Sequence, residues 1–121
     1  MDSSIRKLDL AKEFTTPERC WITESYNTAQ DPSISIARAR VEPGVTTAWH
    51  AVEQTEERNI IAEGRGRVEV GELPPTEVRP GDVVIIPEGV RQRIENLGET
   101  DLIFYCVCTP RFEQRNYRTL E

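Results

Sequence analysis

Apolar and polar residues alternate along most of this chain, and the alternation breaks at Pro, Gly and Asn. Short β-branched or alternating runs fall at 19–25, 33–41, 46–52, 57–62, 65–70, 82–86, 91–95 and 102–108, with the period of two expected of strands that bury one face. Helical spacing is confined to 8–14, where too little apolar surface is present to anchor a helix alone. Regular short strands between turn signals predict an all-β sandwich or barrel. The punctuation reads as turns: Pro43-Gly44 closes one strand, Gly64-Arg65-Gly66 reverses the chain, Pro80-Gly81-Asp82 starts a strand, and 97–100 forms a last hairpin. Around 91–96 the alternation puts Gln92, Ile94 and Asn96 on one face and Arg91, Arg93 and Glu95 on the other. The second face is expected to meet solvent or a partner.

With 121 residues, 37% of them hydrophobic and 30% charged, the chain has room for one domain with a modest core. The expected organisation is an N-terminal arm over 1–14, one folded domain over 15–110 and a tail over 111–121. That tail carries Phe112, Tyr117 and Leu120, enough apolar surface to dock on the domain or on a second copy. A net charge of −6 argues against a nucleic-acid or anionic-membrane binder and leaves small molecules or protein as partners. No apolar run is long enough to span a membrane, and the first residues lack the pattern of a signal peptide, so a cytoplasmic protein is expected. Cys20, Cys106 and Cys108 form no CxxC pair and no even framework, which predicts buried reduced thiols.

Arginine is concentrated at strand positions, among them Arg38, Arg40, Arg58, Arg65, Arg67, Arg91 and Arg93. Such rows can offer forks to an anionic ligand, but among twenty-one acidic residues the favoured reading is a salt-bridge network, exposed or between subunits. No Gly-rich phosphate loop opens a helix, and no serine has a His and an acid at triad spacing.

From Pro43 the chain reads PGVTTAWHAVEQTEERNIIAEGRG, and from Pro80 it reads PGDVVIIPEGVRQRIENLG. In both segments it resembles the cupin superfamily. The first family motif runs Gly, five residues, His, one residue, His, three or four residues, Glu, six residues, Gly; here these places hold Gly44, His50, Val52, Glu57 and Gly64. The second runs Gly, five residues, Pro, one residue, Gly, two residues, His, three residues, Asn; here they hold Gly81, Pro87, Gly89, Gln92 and Asn96. Every spacing matches, while Val52 and Gln92 stand where the family has metal-binding His.

The resemblance implies an antiparallel jelly-roll β-barrel over 15–110 with a cavity at one end. It further implies a divalent transition metal (Zn, Ni, Fe, Mn or Cu) held by His50, Glu57 and Gln92, with oxygenase, isomerase or decarboxylase chemistry on a small polar or anionic substrate. Trp49, Val52, Asn59 and Tyr26 are the expected pocket residues. Two donors and one neutral amide make a poor metal cage, so a metal-free cavity for a sugar or carboxylate ligand is the second reading. A structural dimer with a vestigial cavity is the third. A homodimer is expected from the Arg-rich strand faces and the apolar tail.

Overall fold

A computed structural model describes residues 1–121. Eleven strands form two antiparallel sheets with almost no helix. They are β1 (Phe14–Thr15), β2 (Trp21–Tyr26), β3 (Ser35–Val41), β4 (His50–Val52), β5 (Glu56–Glu63), β6 (Gly66–Val70), β7 (Thr76–Val78), β8 (Val83–Ile86), β9 (Gln92–Asn96), β10 (Leu102–Thr109) and β11 (Tyr117–Thr119). One sheet has six strands in the order β1-β2-β3-β10-β5-β8, and the other has five in the order β11-β4-β9-β6-β7. This is the expected jelly roll. No helix is long and apolar enough to cross a membrane.

All eight predicted runs are strands, with ends that shift by a residue or two for most and by more at β4. Three short strands, β1, β7 and β11, were not legible, because two or three residues carry no period. Around 8–14 only a single 3-10 turn forms, at Leu10–Lys12, before β1 begins. The expected hairpin at 97–100 is not one: β9 belongs to the five-stranded sheet and β10 to the six-stranded sheet, so the turn carries the chain across the sandwich. Gly64 to Gly66 likewise leads from β5 in one sheet to β6 in the other.

The barrel interior is graded in size along its axis, and the sequence of β10 and its neighbours produces that gradient. Leu102 lies opposite Val41 and Phe104 opposite Ala39, whereas Cys106 lies opposite Ala37 and Cys108 opposite Ser35. On the other side of β10, Ile61 pairs with Phe104, Asn59 with Cys106 and Glu57 with Cys108. Large apolar side chains therefore fill one end, where Val41 and Leu102 are fully enclosed and Ile61 nearly so. Small and polar side chains line the other end, which is left open.

The outer faces carry the arginines, and they are matched by acids as expected. Arg93 lies directly opposite Glu69, and Arg67 opposite Glu95, on β6 and β9; each pair is joined through its side chains. Arg40 reaches Glu13 at 2.7 Å and Asp101 at 3.4 Å. The tail does not project: Tyr117, Arg118 and Thr119 pair with Val52, Ala51 and His50 of β4.

Candidate functional site

A cavity of about 410 Å³ occupies the open end of the barrel. Its floor is apolar, with Val70, Val84, Ile86, Ile94 and Phe104 among its lining. Its polar groups come from both sheets. His50 and Gln92 are register partners on β4 and β9, while Glu57 and Asn59 sit two apart on the inward face of β5. The Gln92 amide Nε2 donates to Glu57 Oε1 at 3.3 Å, the hydrogen bond that joins the two sheets across the cavity.

Glu57 and Asn59 are 7% and 6% exposed, so a carboxylate lies far from bulk water. Burial pushes the Glu57 carboxyl above its ordinary range, while the positive charge available on His50 and the amides of Gln92 and Asn59 oppose that rise. His50 Nδ1 lies 2.8 Å from the carbonyl of Ala48 and 3.4 Å from Glu18 Oε2. A carbonyl only accepts, so Nδ1 is a nitrogen that carries a proton. The Tyr117 ring stacks on His50 with centroids 5.4 Å apart, and its hydroxyl donates to Glu18 at 3.4 Å.

Glu18 and Tyr117 were not visible as site residues because they lie outside both motifs. Glu18 precedes β2 in a turn where Arg19 holds a left-handed φ of 67° and hydrogen-bonds the Thr46 carbonyl at 2.8 Å. Tyr117 arrives with β11, whose register against β4 sets it opposite Val52. The only faint signal was the apolar character of the tail. Glu24 at the mouth was also missed; surrounding protein raises its carboxyl although the side chain keeps solvent access.

Of the expected site residues, His50, Val52, Glu57, Asn59 and Gln92 all line this cavity. Trp49 and Tyr26 do not. Trp49 follows the alternation to the opposite face from His50, where the guanidinium groups of Arg91 and Arg93 lie 4.8 and 4.4 Å from its ring centroid. Tyr26 hydrogen-bonds Asp31 at 2.9 Å and carries Arg6 over its ring. The three cysteines are free and line the cavity. Burial holds all three thiols well above their usual range, Cys108 at about 12, so they stay protonated and weakly nucleophilic.

The donor set does not fit a three-donor transition-metal centre. Val52 has no lone pair, and a carboxylate only accepts, so the Gln92 amide must turn its N–H side to Glu57. His50 and Glu57 remain as strong donors, and no cluster of three His, Cys, Asp or Glu is placed to hold an ion.

Comparison with known proteins agrees with the fold. The chain is 33% identical over 87 residues to an uncharacterized protein of Methanocaldococcus jannaschii, covering 72% of this chain and 69% of that one. It superposes on KdgF from Halomonas sp. with a TM-score of 0.78 at 18% identity, over 90% of this chain and 96% of the other. A predicted oxalate decarboxylase from Thermotoga maritima matches with a TM-score of 0.68 at 25% identity, over 75% and 80% of the two chains. Residues 37–108, which hold both motifs and seven of the cavity's strands, match the Cupin_2 family model, described as a cupin domain. With that match laid over a two-sheet jelly roll, the chain belongs to the cupin family.

Proposed function

We propose that this cupin captures a small, largely apolar molecule in its barrel cavity without a metal, using His50, Glu57 and Gln92 as hydrogen-bonding groups. One observation carries the reading: of the four family ligand places brought together in the cavity, Val52 has no lone pair and Gln92 offers only a neutral amide, which leaves one imidazole and one carboxylate. The cavity size suits a molecule of modest dimensions, and the apolar floor supplies binding energy through area removed from water. An anionic ligand is disfavoured. Glu18, Glu24 and Glu57 all line the cavity, while Arg93, the one arginine of its lining, turns its guanidinium to Glu69 and Trp49 on the outer face. The dianion suggested by the name of the Thermotoga maritima neighbour would meet like charge here.

Metal analysis of freshly purified protein tests this. Substoichiometric metal is expected for the wild type. A Val52→His, Gln92→His double variant, which sets three imidazoles and Glu57 around one cavity, is expected to take up nickel or zinc. Stoichiometric metal in the wild type that disappears in His50→Ala overturns the metal-free reading.

Two copies associating through the outer face of the six-stranded sheet form the second part of the proposal. The arginines that motivated a dimer are satisfied within the chain, and the tail docks on its own barrel. Other residues take their place. Ile60 lies opposite Val83, and Ile85 is next along β8; all three face out and are exposed. At the other flank of the same sheet, the arm leaves Ile5, Leu8 and Leu10 exposed, while Glu13 ties it to Arg38 and Arg40 of β3. A two-fold axis parallel to the strands, near β3 and β10, lays each arm over the partner's β5–β8 strip. The folded unit would then be 15–110, with the arm over 1–14 as the dimer clasp and the residues from 111 as a strap across the barrel.

A further inference from the structure

Inside the cavity one strong acceptor has no partner. Asn59 is 6% exposed and lines the cavity, yet its Oδ1 makes no hydrogen bond. Asn59 stands two residues from Glu57 on the same inward face of β5, and no donor of the chain reaches its Oδ1. An enclosed acceptor without a donor costs free energy that a bound donor returns. Around it stand the carboxylates of Glu57, Glu18 and Glu24, with no unpaired cation among the lining side chains.

We propose that the ligand of this cavity is an organic ammonium: a compact apolar body that carries a protonated primary or secondary amine, with the N–H groups directed at Asn59 Oδ1 and the Glu57 carboxylate. This rests on the metal-free binding reading and names its ligand class. Two features of the cavity select such a molecule. Its apolar lining, Val84, Ile86, Ile94 and Phe104 among it, takes the hydrocarbon part. An ammonium leaving water there needs charged and neutral acceptors together, and Glu57 with Asn59 provides both from one strand face. A carboxylate ligand would leave Asn59 Oδ1 unpaired and add repulsion. A neutral alcohol would satisfy the amide oxygen but not the surrounding negative charge.

The test compares three probes of one size on the intact chain: benzylammonium, benzyl alcohol and benzoate, titrated near neutral pH and followed by amide and side-chain resonances of the cavity. Benzylammonium is expected to bind about tenfold or more tighter than benzyl alcohol, the scale of a charge-assisted hydrogen bond, and benzoate weakest. Asn59→Ala and Glu57→Gln should each shrink the ratio between ammonium and alcohol, a readout insensitive to modest changes in stability. Glu24→Gln, at the solvent-accessible mouth, should shrink it less and leaves the interior intact. Benzoate or the alcohol binding as tightly as the ammonium overturns the amine assignment and leaves the binding cavity standing. Failure of all three probes to shift any cavity resonance overturns both.

Discussion

Glu57 is a carboxyl group enclosed by protein, and its behaviour with pH follows from that enclosure. Its folded-state pKa is raised by burial, so the folded chain holds this proton more tightly than the unfolded chain does. Between the ordinary value and the raised one, stability falls as pH rises. Glu13 and Glu69 run the other way: the Arg40 and Arg93 side chains hold their carboxyls low, and their contribution is lost as pH falls through those depressed values. Replacing Glu57 by Gln fixes the neutral form at every pH and leaves an acceptor for Gln92. The variant should therefore melt above the wild type at about pH 8, and the two should converge near pH 3.5, below the ordinary carboxylate range. Thermal scans of both proteins across that interval check it, since the acid-labile pairs are common to both and cancel.

At the level of elements, the crossings between the sheets matter more than the strands themselves. Gly64, after β5, has a φ of +87°, and a Cβ there would stand 2.8 Å from the Asp101 carbonyl oxygen and 3.0 Å from Leu102 Cα. Both contacts are backbone and cannot swing away. Gly44 has a φ of +77° with open space around its would-be Cβ. Both alanine variants carry the conformational penalty of about 1–2 kcal/mol, but only Gly64→Ala adds a steric one. The expected order in urea denaturation is Gly64→Ala well below Gly44→Ala, by at least about 1 kcal/mol. Asn96 holds the other crossing. Its amide Nδ2 donates to the carbonyls of Val41 at 2.9 Å and Thr100 at 2.8 Å, and its Oδ1 accepts from the Gly98 N–H at 2.8 Å. Asn96 is 2% exposed, so Asn96→Ala should cost about 3 kcal/mol or more without altering ligand binding; the same denaturation series reads it. The final Asn of the second cupin motif is thus a structural clamp between the sheets in this chain.

For the whole molecule, the decisive quantity is how much of the six-stranded sheet's outer face is covered. Ile85 is 59% exposed on an edge strand, in a setting where charge is tolerated and apolar surface is not. If two copies bury this face, sedimentation of the wild type near 10 µM should give twice the chain mass. Ile85→Lys should give the mass of one chain with an unchanged circular dichroism spectrum, because the side chain points away from the barrel interior. A wild-type monomer at that concentration sinks the dimer and leaves the cavity proposals untouched, since every cavity residue comes from one chain.

By itself the sequence determined the eight longer strands, because period-two alternation is a local property of the chain, while its resemblance to the cupin motifs implied the jelly-roll class and the convergence of His50, Val52, Glu57 and Gln92. The same alternation sends Trp49 to the face opposite His50, outside the cavity. Which strand pairs with which was decided only in three dimensions: the turns at Gly64–Gly66 and 97–100 look like hairpins locally, but their strands join different sheets. The same holds for the rest of the site. Glu18, Glu24 and Tyr117 reach the cavity from segments remote in sequence, and the Gln92 amide is committed to Glu57 by its neighbour across the barrel. Residue type and spacing set which side chains can meet; long-range packing sets which atoms are already engaged when they do.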